Sequence, residues 1–579
     1  YVLVTCMQIP KLCYNITNKL MFVEVYMKRI LSGFVWLALI LEILVYYWFQ
    51  LPAFNFLSLE FWFFILQSFG LLWIVLAITS KISPIRKVTK VSGRNRQVES
   101  YQFSSGKLPT YLSWLGRVWV VFVLLIIVLG VVNSHIFRAK DYASVVTVEE
   151  ADFKTDFPET DISKLALLDR ASAEKIGDTY LGTIDKVSQF GISNDYRQIT
   201  IGQQPFRVSP LEYKSFWKWL SNHQDGIGYY VKVNQTTGKA ELAKLNEAMH
   251  YSDSEFLLND TLRHLRLQYP TTIFGKPSFE VDDKGNPYYI ATIYEPKFGL
   301  SSHDPIGAIV LDAATGESKK YRLEEIPEWV DRVYSAENVI SRVDDHYTYQ
   351  NGFWNTIFSQ TGVKNTTDSY NYISIGSDIY LYTGITSATA DSSNLGFILV
   401  NMRTREITNY KLASATESAA QESAEGEVQE KGYKATAPSL VKLADTAYYL
   451  VSLKDDAGLV KSYALVDAED YQQVTVNNDV ASLISQVTGR DASSLAGLAT
   501  TTNGDSSQPT EVVTGKVEAV ASQMIGGSTV YYIQSEGKIY KVKATEDSTD
   551  QLPFIKIGDQ FNGQLDKKNY LQQVVINPE

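Results

Sequence analysis

Three apolar stretches near the start of the chain constrain its fold more than any other feature. They occupy residues 30–49, 61–80 and 115–134, and each is close to the ~20 residues that a helix needs to cross a bilayer. Each holds at most one charged residue, and its tryptophan and tyrosine residues lie mostly near its ends, where amphipathic rings favour the interface. The sequence therefore predicts a membrane domain of three helices within 27–137.

Basic residues around these stretches predict the orientation of the chain. The loop 81–114 carries seven Lys and Arg residues against one Glu, whereas the turn 50–60 carries no Lys or Arg. Because loops rich in Lys and Arg stay in the cytoplasm, we expect 81–114 and the amino terminus on that side. Three crossings then leave 138–579 outside. The expected location is the plasma membrane of a bacterium, with the large carboxyl-terminal part extracytoplasmic.

The first residues differ in character from the rest. Residues 1–26 mix polar and apolar side chains without a period, and Met27 with the basic pair that follows is typical of an initiation site. We therefore expect 1–26 to be a non-native leader or fragment, and the true start codon stays open. The two cysteines, Cys6 and Cys13, fall in this segment. The exported part then has no thiol, which excludes disulfides and cysteine–zinc sites and suits a Gram-positive envelope.

Two polar side chains interrupt the first two apolar stretches. Glu42 and Gln67 each lie seven residues from the predicted outer end of their helix, roughly 10 Å deep at 1.5 Å rise per residue. We predict a hydrogen bond between them that stabilises the helical hairpin. An intramembrane carboxyl group is often functional, but a single one without an ionisable partner is a poor proton path.

Charge divides the chain into two parts with different partners. Residues 1–137 hold 12 Lys and Arg against 4 Asp and Glu, whereas 138–579 carry a net charge of −19. A large acidic part repels phosphates, so we expect no nucleic-acid partner. The expected partners are the lipid bilayer and an envelope protein or cell-wall component, and the oligomeric state is left open.

A pattern of strand, turn and strand recurs four times after residue 150. In each copy an aromatic and β-branched strand precedes a second strand, which ends in Val or Leu followed by Asp or Asn. Alternating apolar and polar residues indicate half-buried strands. The copies are 199–208 with 228–245, 279–295 with 307–323, 372–387 with 396–412, and 440–455 with 463–476.

The end of the second strand carries the same kind of residue in every copy, namely Asn234, Asp312, Asn401 and Asp467. Asn and Asp side chains bond to the backbone of a following turn, so we predict that all four stabilise turns. Calcium binding is the alternative and is left open. The acidic turns lack the alternating oxygen ligands of an EF-hand loop.

Helical stretches separate the strand groups. The sequence predicts helices at 210–222, 334–358 and 414–431, although the last has little apolar surface to bury. Helices alternating with antiparallel strands predict an α+β fold in which helices cover one face of each sheet. The irregular spacing of the four turns indicates diverged domains rather than a regular solenoid.

The strand pattern and the composition predict the domain boundaries. Residues 138–330 contain the first two repeats and 331–497 contain the third and fourth. Residues 498–510 have the Gly, Ser, Thr and Pro content of a linker. Five short strands in 511–579 then predict a small closed β-barrel of OB or SH3-like type.

The hairpin around the L-D-A-A-T-G-E run at 311–317, preceded by helix, resembles PepSY-type modules, which are small extracytoplasmic domains of protease propeptides and membrane-anchored envelope proteins. More specifically, residues 141–476 are similar to an uncharacterised family of large membrane-anchored proteins of Gram-positive bacteria. This resemblance implies an architecture and a location, and it implies no activity. The stretches that carry it are 167–182, 263–274, 325–337, 349–358, 422–433 and 453–466.

The sequence contains no recognisable catalytic, cofactor or metal motif. Phosphate-binding glycine loops and a G-x-S-x-G elbow are absent, and none of the six histidines lies in an H-E-x-x-H helix. Asp344, Asp345 and His346 form a cluster that we interpret as the solvated face of a polar helix. We interpret the acidic run 324–331 as the first turn of a helix.

These patterns favour a membrane-anchored, non-enzymatic binding or regulatory protein without a cofactor or metal. Its PepSY-like modules would contact a secreted protein, a peptidase or a cell-wall component, and we expect the 36 tyrosines to supply contact surface. One alternative is a cell-wall hydrolase that uses carboxylates from different domains, which a sequence does not exclude. Another is a sensor that couples the exported part to the cytoplasmic loop.

Overall fold

Three long helices open the part of the chain that the computed structural model describes. They are α1 (Gly33–Gln50), α2 (Leu59–Ile82) and α3 (Thr110–Val132), and each is long and apolar enough to cross a membrane. This confirms three long apolar helices where the sequence predicted them, and their length and composition are compatible with membrane anchoring. The expected leader 1–26 and the linker 498–510 lie outside the described residues. The described residues are 30, 33–82, 86–92, 96–102, 109–179, 188–300, 303–388, 393–490, 511–525, 528–543, 552–565 and 570–577.

Indole groups connect α2 to α3. Trp73 Nε1 donates to the carbonyl oxygen of Leu112 at 2.8 Å, and Trp119 Nε1 donates to that of Leu66 at 3.3 Å. A Cβ atom at Gly116 would lie only 3.2 Å from Trp73 Nε1. Glycine at this position therefore lets the two helices approach closely, as small residues do between membrane helices.

The basic loop between α2 and α3 contains an antiparallel hairpin of β1 (Arg86–Ser92) and β2 (Arg96–Gln102). After α3 the chain turns at Asn133 into α4 (His135–Ala143), which has a kink at Arg138. Several short elements then precede the main sheets, among them one strand and two α-helices. The strand is β3 (Glu149–Asp152), and the helices are α5 (Phe153–Asp156) and α6 (Arg170–Asp178).

Four antiparallel sheets follow, and each contains one of the four repeats predicted from the sequence. Sheet A consists of β4 (Phe190–Ile192), β5 (Arg197–Ile201), β6 (Gln204–Tyr213), β7 (Ile227–Asn234) and β8 (Ala240–Met249), with α7 (Phe216–Asn222) between β6 and β7. Sheet B follows α8 (Thr261–Gln268) and consists of β9 (Ser278–Val281), β10 (Pro287–Pro296), β11 (His303–Asp312) and β12 (Ser318–Arg322).

Two helices separate sheet B from sheet C, and one helix separates sheet C from sheet D. After α9 (Ala336–Tyr349) and α10 (Phe353–Phe358), sheet C consists of β13 (Lys364–Ile375), β14 (Asp378–Ser387), β15 (Ser393–Asn401) and β16 (Ile407–Ala415). After α11 (Glu417–Glu427), sheet D consists of β17 (Lys434–Ala435), β18 (Ser439–Leu443), β19 (Thr446–Lys454), β20 (Val460–Asp467) and β21 (Val474–Asn477), and α12 (Val480–Thr488) comes next.

Each sheet contains four strands that pair in the order in which they follow one another along the chain: β5 to β8, β9 to β12, β13 to β16 and β18 to β21. The strand β3, which precedes all four sheets, pairs in parallel with β16 at the edge of sheet C. Successive four-stranded meanders of this kind are the blades of β-propellers. The mixed α+β class is confirmed, and the sheets follow one another as blades do.

Neighbouring sheets bury their faces against each other. Sheets A and B share a core that includes Val231 and Leu311, and sheets B and C share one that includes α9. Sheets C and D share a third core around Phe397 and Tyr449. The repeats therefore stabilise one another, because most apolar faces of the sheets are covered by the next sheet as well as by helices.

The segment 157–178 connects sheet D back to sheet A. Thr160 and Lys442 exchange hydrogen bonds, since Thr160 N donates to Lys442 O at 3.0 Å and Lys442 N donates to Thr160 Oγ1 at 2.8 Å. Leu167 accepts a hydrogen bond from Ser452 Oγ at 2.9 Å and donates its own amide to Gln235 O in sheet A at 3.1 Å. Sheets A to D and this segment form a closed arrangement, which we call the sheet ring.

The helix predicted at 210–222 is shorter in the structure. Strand β6 continues to Tyr213, and α7 begins only after Ser215, whose Oγ accepts a hydrogen bond from Lys218 N. The residues before Ser215 are mostly buried within sheet A. Their contacts in the sheet outweigh their local helical spacing, which is how tertiary packing overrides intrinsic preference.

The carboxyl-terminal unit, Thr501–Glu579, is separate from Tyr1–Thr500 in its contacts. Its described strands are β22 (Glu511–Lys516), β23 (Ala519–Ile525), β24 (Ser528–Ser535), β25 (Lys538–Lys543), β26 (Gln560–Leu565) and β27 (Leu571–Asn577).

The described strands of this unit do not form the closed barrel predicted from the sequence. The described strands form two three-stranded sheets, β22-β26-β27 and β23-β24-β25, connected by one isolated bridge between Lys541 and Tyr570. The chain crosses between the sheets at Val517, whose amide bonds to Asp559 O, while Glu518 bonds to Gln534 O. Both sheets share a core that includes Ile533.

Candidate functional site

The four Asn and Asp residues predicted to stabilise turns each accept hydrogen bonds from the two backbone amides two and three positions further along the chain. In Asp312, Oδ1 accepts from Ala314 N and Thr315 N, both at 2.9 Å. The corresponding atoms of Asn234, Asn401 and Asp467 accept equivalent bonds of 2.8–3.0 Å. Because Oδ1 is directed at backbone amides, the turn geometry accounts for these residues without an ion.

The residue after each of these turn residues joins one sheet to another part of the ring. Ala313 donates to Pro287 O within sheet B, and its carbonyl oxygen accepts from His250 N and Tyr251 N at the end of sheet A. Gln235, Met402 and Ala468 make equivalent bonds. The recurrent turns are therefore joints between successive parts of the ring, and the sequence motif marks where these joints occur.

Polar groups of β5, β9 and β13, which belong to sheets A, B and C, meet near the connection from sheet B to sheet C. Asp331, in the connection from sheet B to sheet C, accepts a hydrogen bond from Thr200 N of β5 at 2.6 Å. Asp331 N in turn donates to Glu280 Oε2 of β9 at 3.1 Å. Arg332 donates to the hydroxyl of Tyr372 on β13 at 2.6 Å. We call Glu280, Asp331, Arg332 and Tyr372, together with Gln198 and Arg207 of sheet A, the axial cluster.

Burial raises the pKa of both carboxyl groups of the axial cluster. Glu280 is 1% exposed and Asp331 is 2% exposed. Burial is the main cause of each raised pKa, the charge of Glu280 raises the pKa of Asp331 further, and Arg197 and Arg332 partly offset the effect at Glu280. Two adjacent buried carboxyl groups of this kind hold a proton at a pH where exposed carboxyl groups have lost it.

Several buried polar atoms of the axial cluster have no hydrogen-bond partner in the protein. They include both polar atoms of the Gln198 side chain, Arg207 Nε and Glu280 Oε1. Buried groups of this type are normally paired, so these atoms suit a bound water or a small polar group. No sequence motif marks the cluster. The acidic run 324–331 contains Asp331, which is buried here and is not in a helical first turn.

A cavity of about 220 Å³ lies between residues 158–166, the end of β13 and the start of β18. Its lining includes Glu159, Asp161, Lys164 and Ser374, and the Ser374 hydroxyl is buried without a partner. The cavity combines both signs of charge with the apolar ends of two strands. Its volume is below the ~300–1,000 Å³ of most small-molecule sites, so it fits a side chain or a short polar group.

The charged side chains named in the axial cluster and in the cavity are carboxylates, lysines and arginines. Among the residues that the structure describes, no group of three or more His, Cys, Asp or Glu side chains is arranged to hold a metal ion. The tyrosines expected to supply contact surface are in part core residues. Tyr334, Tyr382, Tyr449 and Tyr463 are among the largest fully buried side chains.

The ring is attached to the turn between α1 and α2. Phe54 N donates to Pro270 O at 2.7 Å, and Arg266, which is buried, donates from Nε to Leu51 O at 2.8 Å. These contacts lie at one end of the apolar helices. Since α2 leads away from this turn, the basic hairpin β1–β2 lies at the other end.

A second attachment joins α4 to α9 through charged groups. His135 Nε2 lies 2.9 Å from Asp345 Oδ1, and Arg342 donates to Asp345 Oδ2 at 3.2 Å. Asp304 accepts from Arg405 of sheet C at 2.6 Å and lies 3.5 Å from Arg342 Nε. This chain of contacts links the first residues after α3 to sheets B and C.

The interpretation of Asp344, Asp345 and His346 as a solvated face is wrong. Asp345 is buried in the contact just described, and Asp344 accepts from Thr366 N of β13 at 2.8 Å. His346 Nδ1 lies 2.8 Å from the carbonyl oxygen of Ala143 in α4. The polar face of α9 is covered because α4 and β13 pack against it, through contacts 203 and 22 residues apart in the chain.

The predicted intramembrane pair is adjacent in the structure. Gln67 Nε2 of α2 donates to Glu42 Oε1 of α1 at 2.9 Å. A hydrogen bond between apolar helices contributes about 0.6–2 kcal/mol in other membrane proteins. The pair connects the two helices whose turn carries the ring.

Comparisons with known proteins do not assign the chain to a family. No protein-family model matches it, and no curated protein matches it. Among solved structures, it is similar to the crystal structure of the polysaccharide lyase Uly1 at 8% identity, over 68% of this chain and 78% of the lyase, with a TM-score of 0.14. A TM-score this low does not establish a shared fold, so no property of the lyase is transferred to this chain.

Proposed function

We propose that the chain is a membrane-anchored, non-catalytic binding or regulatory protein of a bacterial cell envelope. In this proposal the sheet ring is the binding part, and it is held outside the cytoplasm. The observation that carries the proposal is the attachment of the ring to the α1–α2 turn, at the end of the apolar helices opposite the basic hairpin. Positive residues favour the cytoplasmic side, so the opposite end faces outward.

The cavity beside residues 158–166 is the proposed contact point for the partner. Its charged lining suits a polar side chain or a sugar hydroxyl, and its size suits a small part of a larger molecule. A secreted protein, a peptidase or a cell-wall component meets this description. The resemblance to PepSY-type modules agrees with such a role and remains a proposal.

The hydrolase alternative has less support than binding. Glu280 and Asp331, whose carboxyl groups interact electrostatically, are almost fully buried. Glycoside hydrolysis requires both groups to reach the scissile bond. As folded, the axial cluster therefore suits a structural or proton-holding role better than contact with a polymer.

The sensor alternative is favoured by one specific observation. The contacts from His135 through Asp345 and Arg342 to Asp304 connect α3 to sheets B and C. A partner that shifts one sheet would change the forces on the last membrane helix. A sensor function of this kind requires two conformations of the ring. We propose it as the second candidate function.

Photo-crosslinking in intact cells tests the binding proposal. A benzophenone amino acid at Pro158, an exposed residue of the cavity rim, is expected to capture one envelope partner. The same group at Lys239, an exposed turn residue of sheet A, is the matched control and is expected to capture none. Equal capture at both positions, or turnover of peptidoglycan or peptide that Glu280→Gln abolishes, would contradict the proposal.

A further inference from the structure

The geometry points to a second contact with the bilayer: the ring rests on the membrane surface through two apolar patches that flank the anchoring helices. The α7 patch consists of Phe216, Trp217, Leu220, Leu257 and Leu258. The α10 patch consists of Ile136, Phe137, Trp354, Ile357 and Phe358. All ten side chains are exposed, with Trp217 at 72% and Phe358 at 78%.

The α7 patch lies level with the end of α1. Leu257 O accepts a hydrogen bond from Arg263, and the Arg263 guanidinium lies 4.4 Å from the ring centroid of Trp48. Trp48 precedes the last residue of α1, Gln50, by two positions. Phe216 of α7 packs edge to face on Phe256, at 5.2 Å between ring centroids, directly before Leu257. The patch is thus only a few side chains away from the helix end.

The α10 patch lies level with the end of α3. Helix α4 begins three residues after α3 ends, and its first residue, His135, stacks on Tyr349 at 4.8 Å between centroids. Tyr349 stacks in turn on Phe353, the first residue of α10, at 6.4 Å. Two aromatic contacts therefore connect the end of α3 to α10.

The composition of these short helices does not follow from packing within the ring. In α7 only Trp219 is buried, while Phe216, Trp217 and Leu220 on the same short helix are exposed. In α10 none of the six residues is buried. Contiguous exposed apolar groups of this kind mark interaction surfaces.

The bilayer is the occupant that continuity favours. Both patches adjoin the ends of helices that cross the membrane, on the side where the ring is attached. Tryptophan and phenylalanine side chains next to such ends enter the boundary between headgroups and acyl chains. Lys218 in α7 and Lys140 in α4 lie in the same helices as the patches and suit anionic headgroups. One membrane plane therefore covers both patches.

Fluorescent labels on the full-length protein in lipid nanodiscs test this inference. Cys6 and Cys13 are first replaced by Ser, and the probe, an environment-sensitive NBD group, is attached to Trp217→Cys or Phe358→Cys. Nanodiscs with nitroxide lipids labelled near the headgroup are expected to quench about half or more of the fluorescence at both positions. Tyr471→Cys, an exposed aromatic position in a turn of sheet D, is the matched control and is expected to stay unquenched.

Two results would overturn the inference. Quenching by aqueous iodide at positions 217 and 358, equal to that at 471, would show that the patches face water. Protection from both iodide and nitroxide lipid would show that protein covers the patches, either a second copy of this chain or another partner. An unchanged thermal unfolding midpoint for each labelled variant verifies that the ring is folded.

Discussion

Glu280 and Asp331 are 51 residues apart in the chain, yet they share the axial cluster. Nothing in either local sequence pairs them, because strand β9 and the connection after sheet B meet only once sheets A, B and C have assembled. The four turn residues are the opposite case. Their role depends on bonds to amides two and three positions away, so the local motif was sufficient to predict it.

The raised pKa values in the axial cluster predict how stability depends on pH. The folded chain holds protons on Glu280 and Asp331 that the unfolded chain releases above about pH 4–5. Their contribution to stability is thus fully present at lower pH and is lost as the pH rises through the raised pKa values. We expect the unfolding free energy to fall by about 1 kcal/mol or more between pH 5 and pH 8.

Thermal unfolding of the full-length protein in detergent micelles at several pH values measures this effect. Glu280→Gln is expected to make the unfolding midpoint less dependent on pH, because one of the two titrating groups is removed. Glu247→Gln changes an exposed carboxyl group of sheet A and provides the matched control. The same pH dependence in Glu280→Gln as in the parent protein would contradict the prediction.

At the scale of the elements, the sequence predicted the positions of the hairpins better than the bounds of the helices or the order of the sheets. Alternating strands and turn residues located all four repeats, because both signals are local. The sequence predicted helix at 210–213 because the apolar residues have helical spacing there. In the structure these residues are the end of β6, because they pair within sheet A. The order of sheets, and the closed arrangement that segment 157–178 completes, depend on long-range contacts that a single sequence does not record.

Glycines in two equivalent turns predict different losses of stability when each is replaced by alanine. Gly316 and Gly238 both have positive φ, at 77° and 71°. A Cβ atom at Gly316 would lie 2.4 Å from the Tyr251 ring, whereas at Gly238 the nearest atom, of Leu168, lies 3.8 Å away. We expect Gly238→Ala to cost about 1–2 kcal/mol through backbone strain. Gly316→Ala is expected to cost more, because Tyr251 must also move.

Comparing the unfolding midpoints of the two variants checks this prediction. Tyr251 N bonds to Ala313 O, so movement of Tyr251 also weakens the joint between sheets A and B. A midpoint for Gly316→Ala equal to that for Gly238→Ala would show that the joint tolerates the displacement.

On the scale of the whole molecule, the apolar helices contact the ring at two points. The α1–α2 turn touches the ring, and α3 ends in α4, which also packs on the ring. The end of α1 and the end of α3 therefore both lie beside the ring. The sequence predicted the three helices and the basic loop, but the contacts of Arg266 and His135 that fix the ring to them required the structure.

Labelling of intact cells tests the orientation. In a background with Cys6 and Cys13 replaced by Ser, a membrane-impermeant maleimide is expected to label Asp456→Cys in sheet D but not Arg94→Cys between β1 and β2. Permeabilised cells are expected to be labelled at both positions, which controls for reactivity. Labelling of position 94 and not of 456 in intact cells would reverse the proposed orientation.

The segment 157–178, which connects sheet D to sheet A, has a consequence for biosynthesis. In the proposed orientation Thr160 is among the first residues to be exported, but its partner Lys442 is 282 residues later in the chain. If export proceeds from the third membrane helix onward, the early segment must wait, unpaired, until sheet D has been translocated. Leu165 and Leu167, which are buried in the finished protein, are exposed during that interval. An extracytoplasmic folding factor that shields them would therefore raise the yield, and slower translocation would lower it.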